Sequence, residues 1–438
     1  MIKSGDFDMQ ELEAICPYPG LRSFNEEESL YFKGRDHHVN EVIRLLQKNK
    51  FLMVTGASGD GKSSLIFGGL IPSARAGFFK AKFTNWKVVH FRPERNSLRN
   101  FSTALADALE IPNVSTVETE VQRGFSSLIE LYKNSSFYYE SKSAHGEKEE
   151  RKAANLLIIA DQFEEFFTNP ENYFKGAPSL DAQTTVNLLL ETARLAVKDD
   201  LPVFIVFTMR SDYIGQCAAF RGLPEYIGFS QFFVPRLKRK ELQQVIEEPA
   251  VLSGIRISRR LVERLIFDLE EGVDQLPILQ HALNHIWLAA NNGAEQMDLI
   301  HYAKVGGMPV NELPGEDQVK FEAWFKMLPS WKQDLFEKPS LRKVLDVHAD
   351  ILYYSAWEYY NQKNPEKPIS AKEAKFIIAL TFACLTKIDE SRAVRNRMNL
   401  KEITQIINVP ALNLHTVEGV INYFREPGNT FIHPFISE

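Results

Sequence analysis

The feature that most constrains this chain is a glycine-rich segment, residues 56–63, that follows the apolar run 51–54. It reads GASGDGKS and fits the pattern G-x-x-x-x-G-K-[S/T], and the SSLIFGGLI that follows is compatible with a helix. Glycines let the backbone wrap around a phosphate chain with its N–H groups pointing inward, and the following helix presents its positive end to the anion. We expect Lys62 to reach the β- and γ-phosphates of a nucleotide and the Ser63 hydroxyl to bind Mg²⁺. The predicted phosphate-contacting residues are Gly56, Ser58, Gly59, Asp60, Gly61, Lys62, Ser63 and Ser64.

The composition is that of an ordinary soluble protein with several domains. The 438 residues are too many for one compact core and predict about two to four domains. Hydrophobic residues make up 44% of the chain and charged residues 25%. The net charge of -6 provides no general basic surface for nucleic acid, so direct nucleic-acid binding is not expected.

The cysteines and the N-terminus bear on the compartment. Cys16, Cys217 and Cys384 lie far apart without CxxC spacing, which argues against a disulfide framework and against a zinc site. The N-terminal MIKSGDFDMQELEAI has no apolar core of signal-peptide length, and no stretch elsewhere approaches about 18 uninterrupted apolar residues. The sequence therefore predicts a cytoplasmic protein that is not secreted and does not cross a membrane by itself.

An acidic motif, NLLIIADQFEEFF, follows about a hundred residues after the glycine-rich segment. Its apolar run 156–160 ends in Asp161, a Walker B pattern, and ligands of open α/β sheets bind at the carboxyl ends of strands. We expect Asp161 to hold Mg²⁺ through water. Glu164 and Glu165 follow within one turn, so either could orient or deprotonate the water that attacks the γ-phosphate. Of the two, the sequence favours Glu165 over Glu164.

The remaining runs predict an α/β fold with a doubly wound parallel sheet. The β-branched and aromatic runs 86–91 and 203–208 alternate with helix-like stretches such as 98–109 and 186–197. Arg210 follows the second run and would face the same crevice, where it could contact the γ-phosphate. The alternative for Arg210 is a local pair with Asp212. The polar stretch 134–152 is predicted to be a flexible surface insertion.

Together these motifs resemble the Novel STAND NTPase family, a branch of the STAND signal-transduction ATPases within the P-loop fold. Further resembling stretches are CPYPGLRSFNEEESLYFKGRD at 16–36, FRP at 91–93, the segment 204–212 with R-S-D, VPRL at 234–237 followed by IEEPA, and DQLPILQHAL at 274–283. The resemblance implies that the F-x-G-R element with Gly34 and Arg35 lies against the adenine and that Pro277 touches the base. Asp274 and Gln275 depart from it, because relatives often carry glycine there.

The second half of the chain is predicted to be mainly helical. Leu261, Leu265 and Leu269 recur every fourth residue, and the stripe continues from Leu276 to Trp287, which predicts a small helical bundle over 238–292. A linker with one amphipathic helix near 320–331 follows, then helices over 347–360 and 371–388. The short runs 394–399 and 430–433 are predicted to be the wing strands of a winged helix, which the family has at this position. The predicted organisation is a lead-in (1–30), a P-loop nucleotide-binding domain (31–236), a helical domain (237–296), a linker (297–345) and a winged-helix domain (346–438).

Three further patterns are given no part in the predicted site. The TKID of residues 386–389 imitates a guanine-reading motif but ends a predicted helix far from the phosphate loop. His37 and His38 have no third metal ligand at useful spacing and are expected to be surface histidines. His433 is the nearest candidate for the histidine that STAND winged helices bring to the ADP phosphate, but its FIHP setting differs from the usual motif.

The resemblance implies an ATP-driven molecular switch. ADP would hold the domains closed, with the winged helix as a lid rather than a DNA reader, and ATP would free them to rotate and self-associate in signalling, for which bacterial antiviral defence is a common setting among relatives. Turnover would be slow. An AAA+ type remodeller or loader with continuous turnover is the alternative, and a phosphotransferase is a third hypothesis. Because the chain shows no repeat period of about 20 to 50 residues, sensor or effector parts are expected outside it or on partner proteins.

Overall fold

The computed structural model describes residues 15–139, 152–269, 275–389, 392–396 and 398–434. The described residues fall into two compact units. The sheet unit comprises Ser23–Val245, and the helical unit comprises the described parts of Met1–Arg22 and Ile246–Glu438. Most of the predicted insertion at 134–152 and the predicted departure at Asp274 lie outside the described residues. Within the described ranges, no helix is both long enough and apolar enough to cross a bilayer.

A five-stranded parallel sheet organises the sheet unit, in the order β2-β3-β6-β1-β7. The strands of this unit are β1 (Phe51–Gly56), β2 (Asn85–Phe91), β3 (Ala154–Ala160), β4 (Tyr173–Phe174), β5 (Ala177–Pro178), β6 (Val203–Arg210) and β7 (Gln231–Phe233), of which β4 and β5 form a separate antiparallel hairpin. Every residue of β1 and of β3 is buried, as expected for parallel strands covered on both faces. Because β6 lies between β1 and β3, the strands that lead into the two motifs are not direct neighbours.

Helices cover both faces of this sheet. They are α1 (Asp36–Asn49), α2 (Lys62–Ser64), α3 (Ile71–Arg75), α4 (Ser97–Ala108), α5 (Val114–Gln122), α6 (Ser127–Lys133), α7 (Glu165–Thr168), α8 (Leu180–Lys198) and α9 (Leu223–Phe229), and a π-helical segment (Leu65–Leu70) joins α2 to α3. One apolar layer packs α1, the π-helical segment and α3 on the sheet, and the other packs α4, α5, α6 and α8. The predicted α/β class with a doubly wound parallel sheet is therefore confirmed.

The helical unit consists almost entirely of helices. In chain order they are α10 (Arg239–Leu252, which crosses the boundary between the units), α11 (Arg259–Asp268), α12 (Gln275–Ala289), α13 (Leu299–Lys304), α14 (Gly315–Lys326), α15 (Ser330–Gln333), α16 (Leu341–Lys363), α17 (Ala371–Cys384), α18 (Leu400–Ile407) and α19 (Leu414–Asn422). An antiparallel hairpin of β8 (Thr386–Asp389) and β9 (Arg392–Arg395) separates α17 from α18. Apolar side chains of α16, α17, α18 and α19 share one core, which includes Leu352, Ile377, Ile403 and Val417.

Residues 15–22 of the lead-in pack within the helical unit. The Tyr18 hydroxyl donates to the Ile246 carbonyl at 2.6 Å, and Asn284 of α12 donates from Nδ2 to the Tyr18 carbonyl at 2.9 Å. Tyr18 is buried, and burial raises the pKa of its hydroxyl, so the group stays protonated as a hydrogen-bond donor. This segment is therefore anchored by specific contacts.

The C-terminal part differs from the sequence expectations in two places. The helix predicted over 371–388 ends at Cys384, because Asn396 donates from its backbone N to the Leu385 carbonyl and from Nδ2 to the Cys384 carbonyl, which leads directly into β8. Residues 430–433 form no strand, because the backbone N–H groups of Phe431 and Ile432 both turn back to the Phe424 carbonyl. The paired strands lie at 386–389 and 392–395, and the winged-helix assignment stays a prediction.

Candidate functional site

The glycine-rich segment forms a turn between β1 and α2. Gly59 and Gly61 have φ of 80° and 84°, a left-handed backbone that glycine adopts without steric cost. The carboxylate of Asp60 braces the turn by accepting from the Ala57 N–H at 2.6 Å. Ser58 is exposed at its tip, and Ser64 accepts from the Phe24 N–H at 3.3 Å through Oγ. The loop therefore has the backbone shape that a phosphate-binding turn requires.

The Lys62 ammonium contacts the loop itself. Its Nζ donates to the Gly56 carbonyl at 3.1 Å and to the Ala57 carbonyl at 2.6 Å. Burial lowers the pKa of Lys62, and the negative charges of Glu164 and Asp60 act in the opposite direction. Lys62, which was predicted to reach the phosphates, therefore contacts two carbonyls of its own loop in this structure.

Asp161 is the centre of a network that joins four elements. Its side chain is fully buried at the end of β3. Oδ1 accepts from Ser63 Oγ at 2.9 Å and from Thr208 Oγ1 of β6 at 2.7 Å, while Oδ2 accepts from Arg92 Nε and Nη2 at 3.2 and 3.1 Å. A buried carboxylate is costly unless it is paired and hydrogen-bonded, and these four bonds provide that compensation. The structure therefore brings together the predicted residues Ser63 and Asp161 and adds Arg92 and Thr208 to them.

Arg92 and Thr208 were not assigned to the site from sequence. Arg92 directly follows β2 and Thr208 lies two residues before the end of β6, so both were visible as polar residues at strand ends. The missing information was the strand order, because β2 and β6 flank β3 only in the folded sheet. A polar residue at the carboxyl end of each predicted strand was the available signal.

Glu164 and Glu165 point to different neighbours. Glu164 accepts from the backbone N–H of Arg210 at 3.2 Å through Oε2. Burial raises the pKa of Glu164, opposed by two backbone hydrogen bonds and by the charge of Lys62. Glu165 is buried and accepts from the backbone N–H of Glu94 at 3.0 Å, in the loop after β2. Glu164 is coupled electrostatically to Lys62 and Asp161.

Arg210 forms the local pair that the sequence had left as its alternative. Its Nη2 donates to Asp212 Oδ2 at 2.6 Å, and its Nε is buried with no hydrogen-bond partner among the described residues. Burial lowers the pKa of Arg210, but the hydrogen bond and charge of Asp212 outweigh that effect and raise it. The guanidinium is therefore a permanent cation with one donor that is not satisfied within the described chain.

Arg35 hydrogen-bonds to the glycine-rich loop and to the segment after β7. It is 4% exposed, and it donates from Nη2 to the Asp60 carbonyl at 3.1 Å and from Nη1 to the Pro235 carbonyl at 2.7 Å. Burial lowers the pKa of Arg35 to about 10, which leaves it charged at neutral pH. His38 lies 3.5 Å from Arg35 and is buried, so the expectation of a surface histidine is wrong for His38 and correct for His37. The predicted adenine contact of Gly34 and Arg35 stays a prediction.

The residues present fit a nucleotide and Mg²⁺. Ser63 and Asp161 offer the hard oxygen ligands that Mg²⁺ prefers, while the glycine turn, Lys62 and the unsatisfied Arg210 Nε suit an anion. Pro277 lies in α12 of the helical unit, and its contact with the base stays a prediction.

Known structures resemble this chain only loosely. No curated protein matches the chain. Solved structures with a loose similarity include the ADP form of the ORC2 protein from Aeropyrum pernix (15% identity, 90% of this chain and 94% of that chain covered, TM-score 0.44) and CDC6P from Pyrobaculum aerophilum (12%, 85% and 84%, TM-score 0.40). Another is AMPPCP-bound DnaA from Aquifex aeolicus (12%, 91% and 90%, TM-score 0.36).

The sequence profile of one family, Novel STAND NTPase 1, matches residues 17–310. That span contains the glycine-rich loop, Asp161, both candidate glutamates and Arg210, and it covers well over half of the chain. The resemblance inferred from the motifs is thereby confirmed, and the chain belongs to the Novel STAND NTPase 1 family.

Proposed function

We propose that this chain is an ATP-binding and slowly ATP-hydrolysing molecular switch, whose ADP and ATP states control domain opening and self-association in signalling. The observation that carries the proposal is the hydrogen bond from Ser63 Oγ to Asp161 Oδ1, at 2.9 Å. It joins the phosphate loop to the acidic end of β3 across 98 residues of sequence. Membership of an NTPase family supports the same reading.

Lys62, Ser63 and Asp161 are the proposed phosphate and metal residues. Lys62 would exchange its two loop carbonyls for phosphate oxygens, and Ser63 with Asp161 would hold Mg²⁺. When bound, Mg²⁺ would neutralise the negative charge of the phosphates. Thr208 and Arg92 would hold the Asp161 carboxylate in a fixed orientation.

Glu164 is the proposed general base, in preference to Glu165. A base for the attacking water needs a pKa closer to neutral than that of an ordinary carboxylate, and burial moves Glu164 in that direction. Its Oε2 is also positioned by the backbone N–H of Arg210, at the end of β6. Glu165 is held instead by the loop after β2, so it suits a supporting role.

Slow turnover fits the contacts that the charged groups already make. Lys62 binds loop carbonyls, Arg210 binds Asp212, and Asp161 binds Arg92. A γ-phosphate would have to replace the first two of these contacts before the site is complete for hydrolysis. Hydrolysis would then require these contacts to be exchanged first, which suits a switch better than a continuously cycling motor. Moving a two-state equilibrium from mostly closed to mostly open needs about 5.5 kcal/mol of differential binding, which a trigger and ATP could provide together.

The test combines oligomeric state with turnover. The full chain is run on size-exclusion chromatography with light scattering in ADP and Mg²⁺, then in a non-hydrolysable ATP analogue and Mg²⁺, and steady-state ATP hydrolysis is measured in parallel. We expect a smaller species in ADP, a larger one in the analogue, and slow hydrolysis.

Two other results would replace the switch by its alternatives. A permanent ring with rapid hydrolysis in the same assays would identify an AAA+ type remodeller. ATP consumption that depends on a small-molecule acceptor would identify a phosphotransferase. The winged-helix lid, the defence setting and a cytoplasmic location remain parts of the proposal.

A further inference from the structure

Three histidines of the helical unit lie together, and none of them is among the residues assigned to the nucleotide. His281 and His285 are one helical turn apart on α12, so they occupy the same face of that helix. His348 of α16 packs against both, with ring centroids 5.2 Å from His281 and 4.0 Å from His285. The centroids of His281 and His285 are 4.4 Å apart. We call these residues the histidine cluster.

One ring nitrogen from each histidine lies within 4.8 Å of the corresponding nitrogens of the other two. Three buried ring nitrogens, Nε2 of His281, Nε2 of His285 and Nδ1 of His348, have no hydrogen-bond partner among the described residues. Buried polar atoms are nearly always satisfied, and leaving one without a partner costs about 1–3 kcal/mol. Three such atoms in one place require an explanation, and a shared metal ion would satisfy all of them.

A second contact fixes the state of His348. Its Nε2 lies 3.2 Å from Oδ1 of Asn429, and Asn429 in turn donates from Nδ2 to the Tyr423 carbonyl at 2.7 Å. Because the Tyr423 carbonyl only accepts, the amide must present its oxygen to the histidine. His348 therefore carries its proton on Nε2 and leaves the Nδ1 lone pair free. Outer hydrogen bonds of this kind orient the histidine ligands of metal ions.

The surroundings keep the imidazoles neutral. Burial lowers the pKa of His281 to about 3 and that of His348 to about 4, and it lowers the pKa of His285 well below its ordinary value. Phe431 closes one side of the cluster, with its ring 5.2 Å from His348 and 6.1 Å from His281. A metal ion would therefore meet lone pairs at neutral pH and would not have to displace protons.

We propose that His281, His285 and His348 bind a divalent transition-metal ion of the zinc class. Imidazole nitrogen is a ligand for Zn²⁺, Co²⁺ and Ni²⁺, whereas Mg²⁺ and Ca²⁺ prefer oxygen. Three protein ligands leave a fourth tetrahedral position for water or another donor. The ion would cross-link α12 to α16 within the helical unit. The cysteine spacing had argued against zinc, but this cluster uses no cysteine.

The first experiment measures metal binding by the full chain without a polyhistidine tag. After dialysis against a chelator, the protein is titrated with Zn²⁺, Co²⁺ and Mg²⁺ in the absence of nucleotide, with calorimetry and visible absorption as readouts. We expect one equivalent of Zn²⁺, a visible Co²⁺ spectrum of four-coordinate intensity that Zn²⁺ abolishes, and neither signal with Mg²⁺. If the wild-type chain gives no saturable Zn²⁺ or Co²⁺ binding, the proposal is overturned.

The second experiment assigns the ligands. His285→Gln and His348→Gln should each weaken Zn²⁺ binding by more than about 100-fold, and Asn429→Ala by about 10- to 100-fold, since it removes only the orienting bond. His37→Gln, at an exposed histidine beside His38, is the matched control and should bind as the wild type does. Wild-type affinity in both ligand variants would overturn the assignment. If those variants fail to fold, the cobalt spectrum of the wild type and the Asn429→Ala titration decide the question.

Discussion

Arg92 donates from both Nε and Nη2 to a single oxygen, Oδ2, of Asp161. Asp161 is fully buried, whereas the Arg92 side chain keeps about a quarter of its surface exposed. The other carboxylate oxygen accepts from Ser63 and Thr208. The two oxygens therefore have different tasks: one is neutralised by the arginine, and the other faces the phosphate loop. Hydrogen bonds from three side chains thus fix the orientation of a carboxylate that is fully buried.

Replacing Arg92 should expose the cost of that buried charge. Arg92→Ala leaves Asp161 Oδ2 without its cation, so we expect a loss of about 2–3 kcal/mol of stability, because hydrogen bonds to charged groups contribute about 1.5–3 kcal/mol. Urea unfolding of the full chain measures it. Arg99→Ala on the exposed face of α4 is the control, with an expected change below about 0.5 kcal/mol. Equal midpoints for the two variants would show that Arg92 does not stabilise the carboxylate.

Lys62 is predicted to be indispensable for nucleotide binding. Lys62→Ala should abolish the stabilisation that MgATP gives the wild type, which is about 2.7 kcal/mol at a ligand concentration of 100 times Kd. The measurement is thermal melting with and without MgATP. Lys48→Ala, at an exposed lysine of α1, should keep the full shift. A wild-type shift in Lys62→Ala would remove Lys62 from the phosphate site.

The two glutamates can be separated by isosteric substitution. Glu164→Gln should retain ATP binding and lower the hydrolysis rate by about 100-fold or more, since a positioned general base contributes about 10²–10⁴. Glu165→Gln keeps an oxygen that can accept from the Glu94 N–H, and should lower the rate less than about tenfold. Single-turnover hydrolysis distinguishes the two variants. The opposite ranking would return the role to Glu165.

Acid should slow hydrolysis through the same carboxylate. Because burial raises the pKa of Glu164, its basic form is lost at a higher pH than for an ordinary glutamate. The rate should therefore begin to fall already as the pH drops towards mildly acidic values, while nucleotide binding persists. A pH–rate profile of single-turnover hydrolysis measures this, and Glu164→Gln should flatten it. An unchanged acidic limb in Glu164→Gln would assign that limb to another group.

The sheet and the two motifs were predictable because their signals are local. The buried strands of the 51–54 and 156–160 runs and the glycine turn each follow from a few consecutive residues, and the structure extends each strand by only two residues. The roles of Arg92 and Thr208 depended on strand order, which is non-local: β2 and β6 reach Asp161 only because they flank β3.

The C-terminal part was less predictable for a related reason. The apolar run continues through Cys384 and does not itself mark the end of α17. That end depends on Asn396, twelve residues later, which donates to the Cys384 carbonyl. Two members of the histidine cluster could be paired from sequence, because His281 and His285 are one helical turn apart. The third member, His348, lies on another helix. The periodicity of a sequence does not reveal which distant segments pack together.

Gly34 lies just before α1, and replacing it tests how tightly this segment packs. Its φ is 74°, and a Cβ there would lie 2.6 Å from the Glu241 carbonyl oxygen and 3.0 Å from a Val245 methyl. Gly34→Ala should therefore lower stability by about 3 kcal/mol or more, by combining left-handed strain with a backbone clash. Gly77→Ala is a matched control, since Gly77 has a φ of 87° with nothing within 4 Å of its Cβ position, and should lose about 1 kcal/mol. Equal losses in urea unfolding would show that the contact with Glu241 is not tight.

The histidine cluster should make the chelator-treated protein sensitive to acid. The unfolded imidazoles take up protons near pH 6.5, whereas in the fold burial lowers the pKa of His281 to about 3 and that of His348 to about 4. Among the described residues, these two imidazoles contact each other, His285, Asn429 and Phe431. The stability that the neutral form provides is therefore complete above pH 6.5 and falls as the pH drops towards 4, by about 2 kcal/mol for each of these two histidines at pH 5.

Thermal melting of the chelator-treated full chain between pH 7.5 and 4.5 measures this loss of stability. His348→Gln should reduce the slope between pH 6.5 and 5, and His415→Gln, at an exposed histidine of α19, should leave it unchanged. If His348→Gln and the wild type lose stability in parallel, the acid sensitivity arises elsewhere in the chain.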